Sequence, residues 1–335
     1  MANPEHLRLV KQGPEAFTRW RYLDGPGQIY LLALAGSRCV GILGAFRRDY
    51  RWNDEIRRCL EPFDWHLLPD HRGLGLGTRM GREMMELEDS QVVQGGLEYS
   101  RRLLRHLGWR MVGTGIRHVL PLESAGIVVP ARRRLGLPSP LARAAFSVTL
   151  KPWFRPRRKR PPFAGTVVAI TRSEELLPLY GAGSGYGLLA VPPAGRVEWL
   201  AAAPPEAGRY LAIGFTDGEK LRGWSLLRLY TEAGHRAATI VELHASRPGA
   251  DLYSWMVSET LIQAMLFRPE KIVVEATCPL LREALRRNRF LQVSSFEVHI
   301  WARSGALPSE PYQINSNIGD GPFLPYETSR AAASA

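Results

Sequence analysis

The sequence predicts a mixed α/β fold arranged as two similar units. Its 335 residues are more than one ordinary domain needs, so two domains are expected. Short apolar or alternating runs typical of strands are separated by stretches of helical periodicity, and their order before residue 122 recurs after residue 165. The hydrophobic fraction of 45% and the charged fraction of 23% are those of a globular protein.

The first unit is predicted to run as helix, hairpin, strand, glycine turn, helix, strand, helix and hairpin. The charged stretch 47–58 is predicted to be a loop or a short helix, and 109–112 with 115–120 to be the closing hairpin. The remaining elements are predicted as helices over 14–23, 78–87 and 97–107, and as strands over 28–35, 38–46, 60–68 and 91–93.

The second unit repeats this order. Two short similarities support the repeat: Val40-Gly-Ile-Leu matches Arg222-Gly-Trp-Ser, and His106-Leu-Gly-Trp matches Arg287-Asn-Arg-Phe. Its predicted elements are strands over 210–215, 221–230, 236–245 and 271–276, helices over 252–267 and 279–288, and a closing strand pair over 290–301. The predicted boundaries are a first domain at 1–125, a linker at 126–164, a second domain at 165–303 and a low-complexity tail at 304–335.

The net charge of +12 is concentrated in one segment. Between Ser124 and Arg172 there are eleven Lys or Arg and no Asp or Glu, and Pro is frequent there. This distribution favours a solvated connector over a basic face spread across a domain. Contact of residues 151–160 with anionic lipid, polysaccharide or nucleic acid is the alternative.

Several classes of protein are not indicated. No apolar run approaches the ~18–20 residues that span a bilayer, and the N-terminus lacks the apolar core of a signal peptide. The three cysteines are far apart and the histidines lack ligand spacing, so we expect neither disulfides nor a metal. A reducing cytoplasm fits this composition. The sequence leaves the oligomeric state open.

The chain is organised around the stretch from Trp65 to Met85. Here a predicted strand ends at Pro69, the turn Arg72-Gly-Leu-Gly-Leu-Gly77 follows, and a helix begins. Glycines let backbone N–H groups converge, and a helix N-terminus favours negative charge, so this order predicts an anion site. A Rossmann motif would need glycine where Thr78 or Met80 stands, and no Gly-Lys-Ser/Thr of a Walker loop follows.

Arg72, Gly75 and Gly77 form Arg-x-x-Gly-x-Gly, which resembles the pyrophosphate-binding motif of the GNAT superfamily of acyl-CoA-dependent N-acyltransferases. Leu67-Leu68-Pro69 is similar to the strand end that lies along pantetheine in that family, and Leu107-Gly-Trp109 resembles its "klGF/W" segment. The resemblance covers about residues 5–122. It implies acetyl-CoA or another acyl-CoA as substrate, held by Leu67, Leu68, Arg72, Gly73, Gly75, Gly77 and Thr78.

The resemblance also implies two tandem GNAT-like domains, each a twisted, mostly antiparallel sheet flanked by helices. The second unit departs from the motif, because the corresponding stretch reads Arg247-Pro-Gly-Ala-Asp251. A proline there removes one N–H donor, so a second pyrophosphate cradle is not expected.

The resemblance places a general base on the strand before the glycine turn, where Glu61, Asp64 and His66 are ionisable. Strict alternation would put Glu61 on one face with Phe63 and Trp65, and Asp64 on the other with His66. The resemblance implies that this strand often bulges here, so the alternation is weak evidence. Glu61 is slightly favoured as base, and Asp64 is the alternative; for each, a solvated carboxylate is as good an interpretation.

The family's usual general acid is a tyrosine four residues before the glycine of "klGF/W", and that position holds Leu104. Tyr99 is a poor substitute and is more simply structural. The thiolate then leaves without help, or the second unit supplies the acid, or the protein is weak or inactive.

The sequence therefore predicts an N-acyltransferase, first of all an N-acetyltransferase, acting on a primary amine of a small molecule. An amino sugar or a cell-envelope or polysaccharide precursor is the leading acceptor by family analogy. The alternatives are a non-catalytic acyl-CoA-binding or scaffold protein, and a protein-lysine acetyltransferase.

Overall fold

One order of elements, helix, three strands, helix, strand, helix and strand, occurs twice along the chain. The computed structural model describes residues 15–53, 55–123, 154, 156, 165–181, 184–232 and 234–314. The first repeat consists of α1 (Glu15–Tyr22), β1 (Gln28–Ala35), β2 (Arg38–Trp52), β3 (Glu55–Leu67), α2 (Leu76–Met85), β4 (Ser90–Gln94), α3 (Glu98–His106) and β5 (Arg110–Pro121).

The second repeat follows a short connection and is followed by one more strand. The connection contains β6 (Gly165–Ala169), a 3-10 helix (Ser173–Tyr180) and β7 (Leu188–Ala190). The second repeat consists of α4 (Arg196–Ala201), β8 (Arg209–Asp217), β9 (Lys220–Glu232), β10 (His235–Ala245), α5 (Ala250–Met265), β11 (Lys271–Ala276), α6 (Pro279–Arg287) and β12 (Leu291–Ala302). The last described strand is β13 (Tyr312–Gln313).

All the described strands lie in one mixed sheet. Its order is β13-β7-β2-β3-β4-β12-β5-β11-β10-β9-β8-β6, and β1 pairs with β2 beside this path. The pairs β3–β4 and β10–β11 are parallel, whereas their neighbours toward the centre are antiparallel. The predicted mixed α/β fold is confirmed, and the order is nearly symmetric about the central pair β12–β5.

The central pair shows that the two repeats exchange their last strands. β12, from the second repeat, lies between β4 and β5, while β5 lies between β12 and β11. The closing hairpins predicted over 109–120 and 290–301 are therefore wrong, because each stretch is one long strand. Alternation along a strand indicates a buried face but does not reveal which repeat supplies its partner.

The prediction of a loop or helix over 47–58 is also wrong, since β2 and β3 continue through most of it. Arg48, Tyr50 and Trp52 alternate onto one buried face, and Arg47 and Asp49 pair at the surface with Glu88 and Arg58. The many charges concealed this alternation. The surface charges are paired, and the buried charge of Arg48 is tolerated because Glu61 and Glu242 compensate it.

The similarity between Leu107-Gly-Trp109 and Asn288-Arg-Phe290 is a shared helix ending. Gly108 and Arg289 both have positive φ, 86° and 68°. In both endings the backbone N–H of the following residue donates a hydrogen bond to a carbonyl of the helix. Trp109 N donates to Leu104 O and Phe290 N donates to Leu285 O, each at 3.1 Å. This is the Schellman pattern, which normally selects glycine.

The helix α1 belongs to the first repeat in sequence, but its Phe17 and Trp20 pack on the second. Trp20 and Trp199 stack with ring centroids 4.7 Å apart. Each indole N–H donates to the other residue's carbonyl, at 3.0 and 3.1 Å. Because Trp199 lies on α4, the counterpart of α1, this reciprocal pair joins equivalent helices of the two repeats.

Two faces of the first repeat matter below. The helix face carries Leu60 and Val93 and is covered by α2 and α3. The inner face carries Tyr50, Cys59 and Val92, together with Val298 and Ile300 of β12.

The domain boundaries stay a prediction. The basic linker 126–164, with its proposed contact segment 151–160, lies outside the described residues apart from Phe154 and Pro156, as does the tail beyond residue 314. In the described part of the chain, no helix is long and apolar enough to cross a membrane.

Gly115 permits the close approach of the exchanged strands. It lies opposite Phe296, and a Cβ at position 115 would overlap the Phe296 ring. We expect Gly115→Ala to lower the unfolding free energy by roughly 1–3 kcal/mol, the usual cost of overpacking, in urea titrations. Gly113→Ala is the matched control, because its Cβ would meet the Tyr312 ring at an ordinary 3.5 Å. Equal unfolding midpoints for the two variants would contradict this explanation.

His244 makes stability depend on pH. Its imidazole is buried in β10, stacks on Tyr180 with centroids 4.8 Å apart, and has a pKa lowered by burial to about 4. The unfolded chain therefore binds the proton more readily, so stability is lost as pH falls from about 6.5 toward 4, by up to about 3 kcal/mol. We expect His244→Phe to make the unfolding free energy, measured in urea titrations, depend less on pH over this range. An unchanged slope would contradict the assignment.

Candidate functional site

The first repeat opens between β3 and β4. Among the described residues these strands pair at one position, Leu60 with Gln91, although β3 continues to Leu67 and β4 to Gln94. In the second repeat β10 and β11 pair over four consecutive positions. The opening therefore lies at the carboxyl ends of two parallel strands, where the glycine turn begins.

A bulge interrupts β3 inside this opening. The β2–β3 register shifts between Ile42–His66 and Gly44–Phe63, and Asp64 has a φ of 48°. An extra residue of this kind leaves the regular ladder and turns the following side chain.

The bulge changes which side chains share a face. Asp64 accepts a hydrogen bond from Tyr22 Oη at 2.7 Å and lies 3.6 Å from Arg21 Nη2. Trp65 packs instead with the apolar side chains of the helix face. The predicted alternation is therefore wrong at both positions. Asp64 does not lie on the face that strict alternation assigns to it, and the side chains of Trp65 and Glu61 lie on opposite faces of the sheet.

The glycine turn forms an open cradle. Gly73 and Gly75 have φ values of 79° and 78°, and a Cβ added at either would meet no described atom within 4 Å. Gly75 is the N-cap of α2, and within the described chain no side chain caps this helix. The first turn of α2 thus begins beside open space at Gly73 and Gly75, which suits an anion.

The other predicted binding residues surround this cradle. Arg72 is exposed and its Nε donates to Leu67 O at 2.9 Å. Leu68 N donates to Val40 O at 2.9 Å, which fixes the end of the strand. A Cβ at Gly77 would lie 3.5 Å from the Leu67 side chain, so the first turn of α2 rests on the strand end. Thr78 completes that turn.

The second repeat offers no equivalent cradle in the described chain. Its helix α5 begins after Pro248 and Gly249, and Gly249 is extended, with φ −163°. Asp251 brings negative charge into the first turn and pairs with Arg287 Nη1 at 2.8 Å. A carboxylate at this helix end disfavours a second anion.

Glu61 belongs to a buried ionic network that joins the repeats. Tyr50 Oη donates to Glu61 Oε1 at 2.6 Å, and Arg48 Nη1 lies 3.4 Å from the same oxygen. Arg48 Nη2 donates to Glu242 Oε1 at 2.8 Å, and Arg196 Nε is 3.7 Å from that oxygen. A single guanidinium therefore contacts one carboxylate from each repeat.

The charges and burial of this network shift the pKa values of Arg48 and Tyr50. Burial opposes the charged form of Arg48, but the charges of Glu61 and Glu242 outweigh it, so the pKa of Arg48 is raised. Burial and then the negative charge of Glu61 raise the pKa of Tyr50. Tyr50 therefore stays a neutral donor, and the Glu61 carboxylate is both compensated and shielded from solvent.

Arg48, Tyr50 and Glu242 were not among the site residues predicted from the sequence. A signal was present: Arg48-x-Tyr50 on β2 recurs as Arg228-x-Tyr230 on its counterpart β9. In the second repeat the arginine lies over the tyrosine ring at 4.7 Å and donates to Ala207 O. A repeated Arg-x-Tyr within an alternating strand indicates a paired, buried arginine.

Position 104 supplies no acid. Leu104 is buried among Met85, Leu107 and Trp109 on the helix face. Tyr99, the substitute considered from the sequence, is 72% exposed. Among the described residues, no group of three or more His, Cys, Asp or Glu is placed to hold a metal ion.

Comparisons of structure identify the fold. Saccharomyces cerevisiae N-myristoyltransferase with bound myristoyl-CoA matches with a TM-score of 0.61 and 10% identity, covering 94% of this chain and 80% of that one. A GCN5-related N-acetyltransferase from Anabaena variabilis matches with a TM-score of 0.57 and 11% identity, covering 89% and 68%. No protein-family profile and no curated protein sequence matches the chain.

At these identities the likeness shows the fold. The chain is an α/β protein with the GNAT fold, as the sequence predicted. More particularly, it carries the element order of that fold twice, with the glycine cradle in the first repeat.

Proposed function

We propose that this chain is an acyl-CoA-dependent N-acyltransferase whose donor site is the first repeat. The carrying observation is the open glycine cradle with the uncapped start of α2, placed where β3 and β4 part. Backbone amides and the positive helix end would hold the pyrophosphate, with Arg72 adding a forked cationic donor.

The thioester is expected at the bulge of β3. A pantetheine arm laid back along the strand from the cradle passes Leu68 and Leu67 and reaches residues 64 and 65. Because the bulge takes these residues out of the regular ladder, their backbone N–H groups are the candidates for stabilising the thioester oxygen.

The amine would approach from the inner face, where both candidate bases lie. Asp64 is at the bulge, and Glu61 is three residues earlier. Acyl transfer requires the amine to lose a proton, and either carboxylate can accept it, directly or through one water. Both remain candidates, because each is held by a tyrosine hydroxyl and an arginine in the same manner.

A second candidate function is acyl-CoA binding without catalysis. Two observations favour it: Leu104 is part of the apolar core, and both carboxylates are already compensated by arginine. The donor site is the same in both functions, so binding and turnover must be tested separately. The small-molecule amine, including an amino sugar or a cell-envelope precursor, and a cytoplasmic location rest on family analogy.

The donor site is tested by coenzyme A binding. Gly75→Val forces a β-branched residue to φ 78° at the cradle, and we expect at least about tenfold weaker binding in calorimetry. Gly218→Val is the matched control, because Gly218 also has positive φ, 59°, and open space around its Cβ, but lies in a hairpin of the second repeat. Equal affinity in the two variants would rule the cradle out as the donor site.

Catalysis is tested by thiol release from acetyl-CoA over a panel of amines. We expect Glu61→Gln or Asp64→Asn to lower kcat at least about a hundredfold with little change in coenzyme A affinity, since a general base contributes that much. Glu242→Gln is the control for Glu61, because it weakens the same Arg48 network from the other repeat. If no amine in the panel gives thiol release although coenzyme A binds tightly, the non-catalytic function is supported. Unchanged turnover in both carboxylate variants would exclude both carboxylates as bases.

A further inference from the structure

Trp65 occupies the helix face of the opening between β3 and β4. Its indole packs against two apolar clusters at once, one including Leu60 and Met84 and the other including Leu104 and Leu107. Val93 of β4 packs on the second of these clusters. The side chain therefore bridges the gap that the parting strands leave beneath α2 and α3.

Two glycines of α2 make room for this indole. A Cβ at Gly81 would lie 2.7 Å from Trp65 Cη2, closer than real Cβ contacts allow, and one at Gly77 would lie 3.8 Å from Trp65 Nε1. Glycines four residues apart face the same side of a helix. The helix thus presents a glycine face to Trp65, which lets the ring lie directly under the first turns behind the cradle.

An acyl chain leaving the bulge of β3 has two directions available. On the inner face an alkyl chain would cover the buried polar groups of Asp64 and Arg21. The apolar rings beside them leave no room, because Phe46 and Phe63 stack with centroids 4.5 Å apart. On the helix face it meets apolar side chains, which would suit a long chain, but Trp65 fills that position. Neither direction offers an alkyl chain both space and apolar surroundings.

We propose that Trp65 limits the acyl donor to short chains, an inference that rests on the proposed donor site. The residue acts through shape: its ring closes the apolar side of the opening at the residue where the thioester is expected. Acetyl-CoA therefore fits, and a long-chain acyl-CoA does not place its alkyl chain in the protein. The likeness to a protein with bound myristoyl-CoA, at 10% identity, shows the fold alone.

The experiment compares the binding of acetyl-CoA and decanoyl-CoA to the full chain by calorimetry, with turnover as a second readout. In the wild type we expect decanoyl-CoA to bind no more tightly than acetyl-CoA. In Trp65→Ala we expect the affinity ratio to shift toward decanoyl-CoA by at least about tenfold, because buried methylenes then add favourable free energy. Trp65→Leu is the second variant, should the alanine substitution prevent folding, and its shift should be smaller.

Met84→Ala is the matched control. It removes apolar volume under the same helix, on the side that packs against Leu60, while Trp65 stays in place. We expect lower stability with an unchanged affinity ratio. Tight decanoyl-CoA binding by the wild type, or the wild-type ratio in both Trp65 variants, would overturn the proposal. Failure of coenzyme A and both thioesters to bind would instead overturn the donor site itself.

Discussion

The exchange of β5 and β12 is the constraint on which the rest of the structure depends. In the first repeat the strand beside β4 is β12, which comes from the second repeat. In the second repeat the strand beside β11 is β5, which comes from the first. Because backbone hydrogen bonds in the centre of a sheet are costly to leave unmade, neither repeat completes its own sheet without the other. The near symmetry of the sheet follows directly, and so do the reciprocal contacts of Trp20 with Trp199.

This joining also explains a buried arginine between two carboxylates. A charge taken out of water is tolerated only when its partners are held in position, and losing one partner of such a pair costs about 3–5 kcal/mol. Arg48 draws one partner from β3 and the other from β10, so its compensation exists only while the repeats are joined. Glu61 itself is held by Tyr50 and Arg48 of the first repeat, and the second repeat acts on it through Arg48.

Much of the fold could be predicted from sequence because local signals and tertiary structure agree. The turn from Arg72 to Gly77 predicted the helix after it, and the match of residues 106–109 with 287–290, which supported the repeat, proved to be a shared helix ending. Two of the failures come from strand partners that are distant in sequence. Alternation in residues 110–121 does not say that β12 is the neighbour, and parity along β3 does not reveal a bulge at Asp64.

The two repeats differ at the helix that follows their third strand. In the first, positive-φ glycines and an uncapped helix leave backbone donors free at the end of an opening between strands. In the second, Asp251 meets Arg287 at the corresponding helix, and Gln313 of the last described strand donates to Leu243 O on β10 at 2.7 Å. The start of α5 also lacks a side-chain cap, so the difference between the repeats lies in the positive-φ glycines of the first and the carboxylate of Asp251 in the second. The second repeat thus supplies the strand β12 and a partner for Arg48, whereas the proposed anion site lies in the first repeat, at the start of α2.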